Sequence, residues 1–196
     1  MDYNVYAPPT AAVAEVPVRD TTDRDFHVVG KAKFFSLFLL SFGAYIMVWM
    51  YQHWAQFKRR RRVAMWPVAR GIFPIFFTHS LTEEIDTALQ RANVRHAWSP
   101  NGTATMLVIL LVGSNLFSRI PDSVVPLVPS MTVLFACLLA MAILAWRIQR
   151  AANVACNDPD GSGNRGYTWA NWLWAVPLGV FWALVLLGFA GLALGA

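Results

Sequence analysis

Long apolar runs separated by short polar breaks set the pattern of this chain. Residues 34–54 read FFSLFLLSFGAYIMVWMYQHW without one charged side chain, and comparable runs cover about 103–120, 129–147 and 169–194. A helix rises about 1.5 Å per residue, so some 20 apolar residues cover the ~30 Å hydrocarbon core of a bilayer. The pattern predicts an all-α integral membrane helical bundle of about four transmembrane helices at these positions.

The breaks predict the remaining elements. Residues 63–80, VAMWPVARGIFPIFFTHS, carry two prolines and Arg70 around a short apolar core, which predicts an interfacial or re-entrant segment. Over 80–98, Leu81, Ile85, Ala88, Leu89 and Ala92 recur at helical spacing behind a Ser80/Glu83 capping box, predicting a short amphipathic helix on the cytoplasmic face that ends at the SPNG step. The third span is expected to run on as a polar helix bearing Gln149, Asn153 and Asn157 one turn apart. Residues 1–30 show no sustained apolar period and read as a flexible tail before a helical membrane domain over 31–196.

Composition reinforces the membrane reading. The chain is 57% hydrophobic and 14% charged, where a soluble domain carries about 25% charged residues. The net charge of +5 is concentrated in Lys58, Arg59, Arg60, Arg61 and Arg62. A basic cluster beside an apolar run marks the cytoplasmic flank and can contact anionic lipid head groups; nothing beside it suggests nucleic acid. No cleavable secretory signal is expected. With four spans, both termini fall outside the cytoplasm of a multi-pass inner (plasma) membrane protein. Cys137 and Cys156 read as free thiols.

Candidate chemistry is sparse. Ser114, Asn115 and Asn153 are the polar residues expected to bond neighbouring helices within the bundle. Four single histidines, His27, His53, His79 and His96, lack ligand spacing. In NDPDGSGNRGYTW, Asp158, Asp160, Ser162 and Gly163 match the start of a calcium loop, but Trp169 stands where the bidentate Glu belongs. No catalytic residue, metal site or cofactor is expected.

The stretches KFFSLFLLSFGAYIMVWMYQHW, MWPVARGIFPIFFTHSL and NRGYTWANWLWAVPLG together resemble a family of uncharacterised bacterial multi-span inner-membrane proteins, a domain of unknown function. The resemblance covers close to half of the chain and implies a membrane location with no assigned activity. A non-enzymatic scaffold or interaction protein is the expected function, with the lipid bilayer, anionic lipids, and an unknown membrane protein or a second copy as partners. The alternatives are a small transporter or channel subunit, built on a polar path through Ser114, Asn115 and Asn153, and a lipid-modifying enzyme around His53, His79 and Arg70.

Overall fold

The computed structural model describes residues 24–194, and all regular structure among them is helical. Seven α-helices follow in order: α1 Lys31–Leu40, α2 Tyr45–Arg61, α3 Pro67–Ile72, α4 Pro74–Arg91, α5 Pro100–Phe117, α6 Leu127–Ala155 and α7 Trp169–Leu194. The all-α bundle expected from the sequence is present. Three helices, α5, α6 and α7, hold stretches long and apolar enough to cross a membrane.

The fourth expected crossing, 34–54, is two helices that fold back on each other. The ten residues of α1 extend only about 15 Å. At its end Phe42 and Gly43 adopt left-handed φ values of 51° and 83°. The ring of Phe34 then lies 6.0 Å from that of Tyr45 and 6.1 Å from that of Trp49. One continuous helix would hold residues 34 and 49 about 22 Å apart. α1 and α2 are therefore the arms of a hairpin whose ends emerge on the same side.

Local chemistry explains the reversal. Glycine enters the left-handed region without steric penalty. The Ser41 hydroxyl donates to the Phe38 carbonyl (3.1 Å) and accepts from the Tyr45 amide (2.9 Å), bridging the two arms. From α7, the Trp182 indole N–H donates to the carbonyls of Leu39 and Leu40 at 3.1 and 3.2 Å. The Leu39 carbonyl also accepts from the Phe42 amide at 3.1 Å, so the indole is its second donor; carbonyls at a helix end need such partners away from water. Phe42 stacks on the same indole, with centroids 4.1 Å apart and planes 2° from parallel.

Residues 63–80 also depart from one element. α3 lies against α2 through Gly71, where an added Cβ would stand 2.9 Å from the Met47 carbonyl oxygen. The chain breaks at Phe73, and α4 starts at Pro74, not Ser80, because proline suits the first helical position. Ser80 thus sits inside the helix and the expected capping box does not form. α4 ends at Arg91, short of Trp98, yet the expected stripe is real, since Leu81, Ile85 and Leu89 are buried.

Side-chain pairs fix the directions of the long helices. α4 and α5 run antiparallel, with His79 bonded to Thr105 (3.0 Å) and the Trp98 indole donating to Asp86 (3.1 Å). The short connection 118–126 reverses the chain into α6, whose Trp146 meets Phe34 and Phe35 at 5.5 and 5.8 Å. Leu138 approaches Gly43 at the hairpin tip, about 16 Å along α6 from Gln149. The hairpin thus reaches roughly half the ~30 Å hydrocarbon thickness. Residues 24–33, 53–66 and 147–168 gather at one end, hereafter the basic end, and 118–126 lie at the other. With three candidate crossings, the described termini lie at opposite ends, where four had implied the same side.

Candidate functional site

The basic end is organised by a segment read from sequence as tail. Residues 1–23 lie outside the described chain, but Phe26, Val28 and Val29 are buried in the core. Asn153, on α6, holds this segment as a neighbouring strand would. Its Nδ2 donates to the Val29 carbonyl (3.0 Å) and its Oδ1 accepts from the Val29 amide (3.3 Å). Gln149, one turn earlier, donates to Asn153 Oδ1 (2.7 Å) and the His27 carbonyl (2.9 Å). Its Oε1 accepts from the Trp49 indole (2.5 Å) and sits 3.0 Å from His53 Nε2. An amide oxygen only accepts, so His53 carries its proton on Nε2. Asn153, Gln149 and His53 are all fully buried.

The loop after α6 closes the other side. Asn164 donates to the Val28 carbonyl (2.9 Å), its own carbonyl accepts from the Gly30 amide (3.2 Å), and Lys33 Nζ donates to Asn164 Oδ1 and the Gly166 carbonyl, both at 2.7 Å. Asp158 is the staple of this loop. Its carboxylate accepts from the Ser162 amide and hydroxyl (both 2.8 Å) and the Gly163 amide (2.9 Å), and pairs with Arg24 at 3.3 Å. Burial opposes its ionisation, but these donors and Arg24 outweigh it and hold the carboxyl below its ordinary range. The calcium-like spacing of NDPDGSG thus describes a carboxylate turned onto its own loop.

Between these pieces lies a basic chamber of about 540 Å³, walled by Arg24, His27, Arg59, Arg60 and Arg62 with Asn164 on its rim. No carboxylate lines it. Of the five expected head-group residues, Arg59, Arg60 and Arg62 face it. Arg61 pairs with Asp25 (2.5 Å), Arg60 lies 3.7 Å from the same carboxylate, and Lys58 is exposed outside. Arg24 and His27 were not expected there. The signal that marks them is FHVV, an apolar knot inside an otherwise polar tail.

The other expected polar residues separate. Ser114 and Asn115 line a second cavity of about 440 Å³ near the hairpin tip. They bond within or just beyond their own helix: the Ser114 hydroxyl reaches back to the Leu111 carbonyl and Asn115 accepts from Arg119. Leu138 and Met141 belong to the wall of that cavity, and the buried Ala142 and Ala145 follow along α6 before Asn153 is reached. Among the described residues, Ser114 and Asn115 share a cavity wall that does not include Asn153. His53, His79 and Arg70 are likewise apart, bonded to Gln149, bonded to Thr105, and stacked over Trp54 at 4.2 Å, respectively.

No family model, curated protein or solved structure matches this chain.

His27 gives the basic end a pH dependence. Burial first, then the charges of Lys33 and Arg59, lower its pKa from 6.5 to about 4. The unfolded chain therefore binds more protons between those values, and stability from this residue is complete above pH ~6.5 and lost as pH falls toward ~4. Thermal melts in detergent should rise from pH 5 to pH 7, and the rise should shrink in His27→Gln; an unchanged slope would contradict the assignment.

Proposed function

We propose that this chain is a multi-pass protein of the inner (plasma) membrane that binds phosphate-bearing anionic head groups at its basic end, as a non-enzymatic scaffold. One observation carries the reading: Arg24, His27, Arg59 and Arg62 converge on a chamber without a carboxylate in its wall. Guanidinium groups match phosphate oxygens in geometry and charge. Arg24 is half-neutralised by Asp158, which leaves Arg59 and Arg62 as the main charge offered to a ligand.

The distribution of charge supports a cytoplasmic basic end. Lys31, Lys33, the 58–62 cluster, Arg147, Arg150 and Arg165 gather there, whereas 118–126 carry only Arg119 and Asp122. The binding reading is favoured over an enzymatic one because Asp158, Gln149, Asn153 and Lys33 are already engaged in fixed hydrogen bonds.

The test is lipid titration of the full chain in detergent, read by native mass spectrometry. Phosphatidylglycerol should bind and phosphatidylcholine should not. Near-surface basic residues contribute about 1 kcal/mol each, so the double variant Arg59→Gln, Arg62→Gln should weaken binding at least tenfold, while Lys58→Gln stays within twofold. Equal binding of both lipids, or an unaffected double variant, would overturn the reading.

A further inference from the structure

The basic chamber carries more positive charge than the carboxylates around it match. Asp158 pairs with Arg24, and Asp25 pairs with Arg61 and lies 3.7 Å from Arg60. No described carboxylate pairs with Arg59 or Arg62. Arg59 donates to Gln56 Oε1 (2.6 Å), a neutral group that leaves its charge uncompensated. Like charges held on one wall repel, and a counter-anion between them relieves that repulsion.

The chain carries carboxylates on the adjoining segment. Residues 1–23 hold Asp2, Glu15, Asp20 and Asp23 against one cation, Arg19. The described residues begin at Arg24, which is itself part of the chamber wall. The Arg24 carbonyl accepts from Gln56 Nε2 (2.8 Å), and Gln56 lies about one helical turn before Arg59 and Arg60 on α2. The point at which residue 23 joins is therefore pinned beside those guanidinium groups. Each residue spans at most about 3.6 Å, so the Cα of Asp20 stays within about 14 Å of that of Arg24, and Asp23 is its direct neighbour. Carboxylates on so short a tether reach millimolar effective concentrations, at which weak ion pairs suffice for occupancy.

We propose that Asp20 and Asp23 act as internal counter-anions at the mouth of the basic chamber, pairing with Arg59 and Arg62, and that a phosphate head group displaces them when it binds. This deepens the head-group reading and rests on it. Carboxylate and phosphate compete for the same guanidinium donors, so the acidic segment sets the lipid concentration at which the chamber fills. Glu15 and Asp2 carry the same charge on longer tethers, and effective concentration falls with tether length.

Phosphatidylglycerol titration of the full chain in detergent, read by native mass spectrometry, tests the competition. Asp20→Asn, Asp23→Asn should tighten binding about threefold or more, because two screened ion pairs are removed from the competing state. The gap from the parent should narrow as added salt screens those pairs. Asp2→Asn, Glu15→Gln makes the same change in net charge and should stay within about twofold of the parent. Parent-like binding by Asp20→Asn, Asp23→Asn would overturn the proposal, and so would an equal gain in the control pair, which would make the effect one of overall charge. A parent dimer that dissociates on Asp20→Asn, Asp23→Asn would also overturn it, by assigning the carboxylates to a second copy. Failure of Arg59→Gln, Arg62→Gln to weaken phosphatidylglycerol binding in the chain already carrying Asp20→Asn, Asp23→Asn would instead remove the head-group reading beneath it.

Discussion

Asn153→Ala should destabilise the protein by about 3–5 kcal/mol and release residues 24–30 from the basic end. The amide of Asn153 joins three buried groups: the N–H and C=O of Val29 and the Nε2 of Gln149. Truncation leaves all three in an interior without water, at about 1–3 kcal/mol for each unmatched group, less whatever relaxation recovers. Asn153→Leu should be no better, because it restores volume but none of the bonds. Hydrogen exchange should show the loss directly: the Val29 and Gly30 amides become labile while the amides of α5 keep their protection. If the melting temperature and exchange at Val29 were both unchanged, the side chain would not be the clasp described above.

Gly161→Val should be comparably damaging from the opposite side of the same segment. Gly161 has φ +64°, a conformation in which an L side chain costs about 1–2 kcal/mol. Any Cβ built there also collides with the backbone carbonyl of Val29, and with the Gly30 nitrogen at 2.7 Å. Backbone cannot rotate away as a side chain can, so the loop must separate from the 24–30 segment. Asn164 would then lose its bonds to Val28 and Gly30, and the chamber its rim. The expected result is a lower melting temperature together with weaker phosphate binding. Gly166→Ala is the matched control: nothing lies within 4 Å of a Cβ placed at that position, and it should behave as the parent. Equal stability of the two variants would show that the loop does not press on Val29.

These two residues also show where the sequence was readable. The apolar runs at 103–120, 129–147 and 169–194 are long enough to impose helices whatever their neighbours do, and α5, α6 and α7 follow them closely. Helical spacing likewise located the buried stripe of α4. The run 34–54 misled because hydropathy has no term for direction. Its reversal depends on one Ser-Phe-Gly step and on Trp182, which lies 140 positions away from Phe42 in the chain and completes the turn. The site was half legible for a related reason. A cluster of five cations is visible in any window, but Arg24 and His27 join it only because Asn153 and Asn164 hold their segment down, and such long-range amide pairing leaves no periodic trace. Asn153 was singled out for its polarity inside a helix; its partner proved to be an extended backbone segment.

The α1–α2 hairpin also gives the molecule an uneven outline across the bilayer. Its two arms and α3 add their width to the three crossing helices at the basic end and stop short of the opposite end. The protein therefore occupies more area in one leaflet than in the other.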